Sequence, residues 1–159
     1  HRAAAHFRYA AEQGIAAAQY DLGTLYATGT GVAADALEAA RWISRAAKAG
    51  LADAEFEYAL MLFRGQGLTA DEPKAAEFMR SAADKGLPSA QNRLARLYAN
   101  GLGVEMNIVE SAKWHLIAKG SGLDDPALEK IAGKLSKADR TKAEKAAAEW
   151  RDRVAIETK

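Results

Sequence analysis

Ser111 and His115 are the two residues whose types and spacing come nearest to catalytic chemistry. They lie four positions apart in a segment with helical periodicity, which places both side chains on one helix face. A serine beside a histidine is the start of a nucleophilic site, as in hydrolases. The sequence positions no third group that would orient the imidazole. A hydrolase acting on a cell-wall or small amide substrate is therefore an alternative function, not the leading one.

Other chemical motifs are weaker. The run Gly29-x-Gly31-x-x-Ala34 resembles a dinucleotide loop, but that motif needs a preceding strand, and here a helical segment precedes it. Similar turns recur 36 and 72 residues later, which indicates a structural element of a repeat and not a nucleotide-binding loop. The chain has no cysteine and no His-x-x-x-His or EF-hand spacing, so we predict no metal and no cofactor.

Charge and hydropathy exclude further classes of function. The chain has 22 basic and 21 acidic residues, and this balance predicts no nucleic-acid binding. No apolar run approaches the ~20 residues of a membrane span. The sequence begins without methionine inside a predicted helix, so we expect that a signal peptide was lost upstream. The compartment, periplasm or cytoplasm, stays open.

Composition and periodicity predict an all-α fold. Of 159 residues, 38 are alanine, and only 16 are Val, Ile or Thr, too few to fill the strands of a sheet-rich fold. Glycines recur every 36 residues, each followed by an apolar residue that suits a Schellman stop. These glycines are Gly14, Gly50, Gly86 and Gly122.

Each 36-residue unit contains two predicted helices, A and B, joined by a Gly-x-Gly turn. Asp35, Asp71 and Asn107 are placed to cap helix B, and Glu38 and Glu110 are spaced for reciprocal capping boxes. One aromatic position per B helix, Trp42, Phe78 and Trp114, is expected to fill the space between layers. His6 falls at that position, and His115 falls at the position of Ile43 and Met79, so both histidines are predicted to be packing residues.

The pattern of the first full unit resembles the Sel1-like repeat, a relative of the tetratricopeptide repeat. It carries Ala18, Leu22-Gly23, Tyr26, the Gly29-x-Gly31 turn, Asp35 and Trp42 in the family's order. The resemblance implies a right-handed α-solenoid of Sel1-like helix pairs. We assign residues 1–14 to helix B of a truncated repeat, 15–50, 51–86 and 87–122 to three repeats, and 123–159 to a C-terminal helical cap.

The C-terminal segment departs from the 36-residue period. Two helices are predicted there, the first after Asp125-Pro126 and the second after Ser136, and the second carries one apolar stripe. The stripe consists of Ala143, Ala147, Trp150 and Val154. We expect it to cover the exposed face of the last repeat. The alternative is that it docks a partner or a second copy of the chain.

The resemblance implies a non-catalytic scaffold that binds a partner protein or peptide, in bacterial signalling or at the envelope. Stacked helix pairs leave a concave face formed by the A helices, and function is expected at positions there that differ between repeats. A purely structural, self-assembling array is a third possibility. The predicted partner-binding residues are Tyr20, Thr24, Phe56, Leu60, Phe63, Arg64, Asn92, Arg96 and Asn100.

Overall fold

A computed structural model of the chain describes residues 2–158 and confirms the all-α prediction. Nine helices and no strand lie within this range. The helices are α1 (Arg2–Glu12), α2 (Ala16–Thr28), α3 (Ala36–Lys48), α4 (Ala52–Arg64), α5 (Glu72–Asp84), α6 (Pro88–Asn100), α7 (Ile108–Gly120), α8 (Pro126–Ala132) and α9 (Lys137–Glu157).

The helices fall into two compact units. Unit 1 is His1–Lys85 and contains α1 to α5, and unit 2 is Gly86–Lys159 and contains α6 to α9. The A helices are α2 and α4 in unit 1 and α6 in unit 2, and α3, α5 and α7 are the B helices that follow them.

The glycine that ends the first full repeat forms the predicted helix stop. At the end of α3, the Gly50 N–H donates to the Ala47 carbonyl at 2.9 Å and the Leu51 N–H donates to the Ala46 carbonyl at 3.2 Å. Gly50 has a φ of 93°. This pair of hydrogen bonds is the Schellman motif, and it satisfies carbonyls that the helix end would otherwise leave unpaired.

The turn between helices A and B requires glycine for two reasons. Gly67 has a φ of 69°, which L side chains rarely adopt. A Cβ atom at Gly67 would also lie 2.1 Å from the carbonyl oxygen of Ala36, at the start of α3. The turn after α4 therefore lies directly against the backbone of the preceding B helix.

The predicted N-caps are present, but the reciprocal half of the capping boxes is wrong. Asp35 accepts from the N–H groups of Leu37 at 3.0 Å and Glu38 at 3.2 Å. The Asp35 N–H donates to the Tyr26 carbonyl at 3.0 Å, not to Glu38. The Asn107 N–H likewise donates to the Tyr98 carbonyl at 2.9 Å. The long turn folds back on helix A, whose last carbonyls need donors.

The core of unit 1 combines alanines with a few large side chains. Leu22 and Trp42 are buried together with Ala11 and Ala18, and Phe7 packs against them. Tyr58 and Phe78 make an edge contact with ring centroids 4.9 Å apart. The aromatic of helix B thus packs on helix A of its own repeat in both cases.

His6 does not have the predicted packing role, because its side chain is exposed. The aromatic at this position packs against the A helix of its own repeat, and among residues 2–158 no such helix precedes α1. His115 is buried, as predicted for a packing position.

In unit 2 the apolar stripe of α9 packs on α7. Ala143, Ala147 and Trp150 are buried, and Trp150 meets Trp114 with ring centroids 5.8 Å apart. The Arg151 side chain donates to the Leu116 carbonyl at 2.7 Å. These three residues are therefore buried by contacts within the chain. The alternative, that they dock a partner or a second copy, does not hold for them.

Candidate functional site

The predicted binding residues of unit 1 lie on α2 and α4. Thr24 and Arg64 are exposed. Four others are partly buried, namely Tyr20, Phe56, Leu60 and Phe63. We call these six side chains the unit 1 wall. Each of them keeps some solvent-accessible surface, so each is available for contact with another molecule.

The electrostatic surroundings of Tyr20, one residue of the wall, are acidic. Burial raises the pKa of the Tyr20 hydroxyl, and the negative charges of Glu57, Asp53 and Asp21 raise it further. None of these three carboxylates forms an ion pair with a cation in the described part of the chain. Glu55, the neighbouring acid, differs: it is buried and accepts from Lys85 Nζ at 2.7 Å.

A cavity of about 240 Å³ lies in unit 1, between the end of α2, the start of α3 and the side of α4. Its charged lining consists of Asp35 and Glu57. Tyr26 and Gln66 are polar residues of the lining, and Ile43 and Met61 are apolar ones. Sequence reasoning did not find this cavity, because its lining comes from four separate segments.

In unit 2, two predicted binding residues contact Asp125. Asn92 Nδ2 donates to Asp125 Oδ2 at 2.9 Å, and Arg96 Nε donates to the same oxygen at 2.8 Å. Arg96 Nη2 also forms an ion pair with this oxygen at 2.7 Å. The third predicted residue, Asn100, is exposed and donates to the Arg96 carbonyl at 2.9 Å. The geometry therefore gives Asn92 and Arg96 an intramolecular role.

Asp125 is the residue that joins α6 to α8, and it is 4% exposed. It also caps α8 by accepting from the Leu128 N–H at 3.4 Å. Burial opposes ionisation, but the hydrogen bonds from Asn92, Leu128 and Arg96 outweigh it, so the pKa of the Asp125 carboxyl lies below its ordinary value. The Asp125-Pro126 helix start marked Asp125 as a cap in the sequence, but nothing there indicated its contact with Arg96.

A second polar cluster in unit 2 surrounds His115. The His115 Nε2 atom is hydrogen-bonded to Glu129 Oε2, and Lys119 Nζ lies 3.3 Å from the same oxygen. These two partners lower the pKa of the Glu129 carboxyl. A carboxylate oxygen of Asp124 lies within 4.8 Å of an imidazole nitrogen of His115 and of a carboxylate oxygen of Glu129. Sequence reasoning missed this grouping, since both carboxylates lie beyond the third repeat.

The arrangement around His115 does not match a hydrolase site. Ser111 is 2% exposed, so its hydroxyl is not accessible to a substrate. His115 Nε2 is taken by Glu129, and within residues 2–158 the buried Nδ1 has no hydrogen-bond partner, so Ser111 does not bond to it. A serine nucleophile must be hydrogen-bonded to its base and reachable by substrate. Neither condition is met. The cluster instead joins α7 to α8.

Helix pairs repeated every 36 residues place the protein in the class of α-solenoid repeat proteins. The Sel1 repeat pattern matches residues 1–15, 16–51, 52–87 and 88–122, and the chain belongs to the Sel1 repeat family. Sel1 repeat proteins generally mediate protein–protein interactions, and they are typically non-catalytic scaffolds. A comparison with curated proteins gave no match.

Two solved bacterial structures resemble the chain. A Sel1 repeat protein from Oxalobacter formigenes is 31% identical, with a TM-score of 0.69 over 79% of this chain and 92% of that one. The protective antigen c5321 of uropathogenic Escherichia coli strains, which displays an SLR fold, is 28% identical, with a TM-score of 0.66. That match covers 95% of this chain and 41% of the antigen. No described helix has the length and apolar character that crossing a membrane requires.

Proposed function

We propose that the protein is a non-catalytic interaction module that binds a partner protein or peptide on the A-helix surface of unit 1. The proposal rests on the composition and solvent exposure of the unit 1 wall. Phe56, Leu60 and Phe63 supply apolar area that is only partly buried, and Arg64 supplies an exposed guanidinium at the end of the same helix. Apolar and aromatic anchors beside an arginine are the usual composition of protein interfaces.

Differences between repeats support this location. Helix A of the first repeat has Tyr20 and Thr24 where helix A of the second has Phe56 and Leu60. A position needed for packing would keep the same size and polarity from repeat to repeat, as the Ala18 and Ala54 position does. The wall residues are therefore free to vary for recognition. The family resemblance favours a bacterial signalling or envelope component as the partner.

Site-specific photo-crosslinking tests the proposal. A benzoylphenylalanine side chain at position 63, on the wall, is compared in the source cells with one at position 37. Leu37 is a suitable control because it is apolar, 70% exposed and on the B helix α3 of the same unit. We expect a discrete crosslinked partner from position 63 that position 37 does not give.

The identified partner then allows an affinity measurement. We expect the double variant Leu60→Ser, Phe63→Ser to weaken binding at least tenfold, a loss of ~1.4 kcal/mol or more, while Leu37→Ser leaves it unchanged. Equal crosslinking from both positions, or full affinity in a folded Leu60→Ser, Phe63→Ser variant, would contradict the proposal.

A further inference from the structure

The cavity of unit 1 has a size and charge that suit one cationic side chain. Its volume, about 240 Å³, is below the ~300–1,000 Å³ of sites that bind small-molecule ligands and cofactors. Its two charged lining residues, Asp35 and Glu57, are both acidic. Ile43 and Met61 are among its apolar lining residues. The cavity therefore suits a side chain with an apolar stem and a positive end.

Glu57 is the acid that is free to attract a cation. It is partly buried, and no described residue forms an ion pair with it. Asp35 already accepts two backbone N–H groups, and the amino-terminal dipole of α3 offsets part of its charge. Arg8 is a cation close to the cavity, but it donates to the Tyr26 hydroxyl and not to either carboxylate. The negative charge of Glu57 is therefore uncompensated.

The fold does not require an acid at position 57. The equivalent residues of the other repeats are Asp21 and Arg93, so the position accepts either sign of charge. Asp35, by contrast, has Asp71 and Asn107 at the equivalent positions of the next two repeats, and each of the three residues caps a B helix. Glu57 is thus a specific feature of this surface, whereas Asp35 is part of the repeat.

The field around Glu57 extends the attraction beyond the cavity. The negative charges of Glu57, Asp53 and Asp21 all raise the pKa of the Tyr20 hydroxyl, and none of these acids has a cationic partner among the described residues. A positively charged segment lying along α2 and α4 would therefore meet several acids that have no cationic partner.

We propose that this cavity binds a lysine or arginine side chain of the partner, and that the recognised segment of the partner is basic. This inference rests on the proposed function and names the chemistry of the partner. The stem of the bound side chain lies against Ile43 and Met61, as long basic side chains commonly do on apolar surface. The charged end forms a charge-assisted hydrogen bond with Glu57.

A titration with a minimal probe tests the cavity without the partner. N-acetyl-lysine methylamide is added to the ¹⁵N-labelled protein, and backbone amide shifts are followed by NMR. We expect saturable shifts at Ile43, Met61 and Gln66. N-acetyl-norleucine methylamide, which has the same stem without the charge, should give no saturable shift at these residues. Equal binding of the two probes would overturn the proposal.

Matched variants locate the charge. We expect Glu57→Gln to weaken lysine binding about tenfold, the size expected for losing a hydrogen bond to a charged group. Glu12→Gln removes an exposed acid of the same unit that lies outside the cavity, and it should leave the titration unchanged. Shifts that are scattered over the surface, or that persist undiminished in Glu57→Gln, would contradict the proposal. The spectrum of each variant also reports whether it is folded.

The two proposals fail separately. If the lysine probe does not bind but position 63 crosslinks to a partner, the cation-binding cavity is rejected and the interaction surface is retained. Lysine binding without any partner at position 63 would retain the pocket and reject the wall. In the full complex, a basic segment of the partner should lose affinity in Glu57→Gln and at high ionic strength.

Discussion

Arg96 on α6 donates a hydrogen bond from Nε to one carboxylate oxygen of Asp125, the residue that caps α8, and its Nη2 lies 2.7 Å from the same oxygen. This pair connects the last A helix to the segment that follows the repeats. Asn92 donates to the same oxygen, so three side-chain nitrogens contact this one oxygen of the buried carboxylate. The charge of Asp125 is therefore compensated although the residue is 4% exposed.

Removing the Asp125 side chain should destabilise the protein. Asp125→Ala removes the cap of α8 and leaves Asn92 and Arg96 without their acceptor, and we expect a loss of ~2–3 kcal/mol in the free energy of unfolding. Urea denaturation followed by circular dichroism measures it. The control Arg93→Ala, at an exposed arginine of the same helix, should change stability by less than ~0.5 kcal/mol. Similar losses in both variants would show that the Asp125 contacts are not special.

The contribution of Asp125 should depend on pH in one direction. The pKa of its carboxyl lies below the ordinary 3.8 in the folded state, so the folded protein binds fewer protons than the unfolded chain near that pH. The stabilisation is fully present above about pH 3.8 and is lost as pH falls towards the lower folded-state pKa. The stability difference between wild type and Asp125→Asn, measured by urea denaturation from pH 6 down to pH 3, should therefore shrink at the acid end. A difference that stays constant would contradict the assignment.

The repeat explains why most of the fold could be predicted. A period of 36 residues specified where glycine ends each B helix and where Asp35, Asp71 and Asn107 begin the next. It did not specify the donors of the turn, and the reciprocal capping boxes were wrong for that reason. The predicted packing role of His6 was wrong because the repeat period gives only the position of a residue within its own helix. It does not show whether the helix against which that residue would pack is present.

The candidate site was less predictable than the fold. Variation between repeats marked Asn92 and Arg96 as binding residues, yet they differ from their equivalents at positions that contact Asp125. Their contact with a partner protein stays a prediction. Variation between repeats can thus mark the junction with a non-repeated segment as well as a recognition surface. The cavity beside Glu57 could not be predicted from the sequence, because its lining residues come from segments that are separated along the chain.

Gly67 should be far less tolerant of substitution than Gly122, although both have positive φ. A Cβ at Gly122 meets nothing within 4 Å, whereas a Cβ at Gly67 would collide with the Ala36 carbonyl. We expect Gly122→Ala to cost ~1–2 kcal/mol for the left-handed backbone alone. Gly67→Ala should cost at least ~1 kcal/mol more, because the turn must move away from α3. Thermal and urea denaturation of both variants measures the difference, and equal costs would contradict the close approach.

The Tyr20 hydroxyl should report on the charge of Glu57. Burial and the surrounding carboxylates raise its pKa above the ordinary 10.0, so removing one of those charges should lower it. We expect Glu57→Gln to bring the Tyr20 pKa closer to 10.0, and Glu12→Gln to leave it unchanged. Titration of ¹³C-labelled tyrosine rings by NMR, with Tyr20 assigned by the Tyr20→Phe variant, gives the values. An unchanged Tyr20 pKa in Glu57→Gln would remove Glu57 from the acidic field at the wall.

Trp150 should be the residue on which the packing of α9 depends most. Its ring covers Trp114 of α7, and Ala143 and Ala147 are too small to replace that contact. Trp150→Ala should cost ~3–5 kcal/mol and leave the Trp114 surface open to solvent. Ile156→Ala, at a side chain 74% exposed on the same helix, is the matched control and should cost little. Denaturation measures stability, and light scattering measures association, which we expect to rise only in Trp150→Ala because the uncovered apolar face favours contact between copies. A monomeric and stable Trp150→Ala variant would show that α9 is not needed to cover the last repeat.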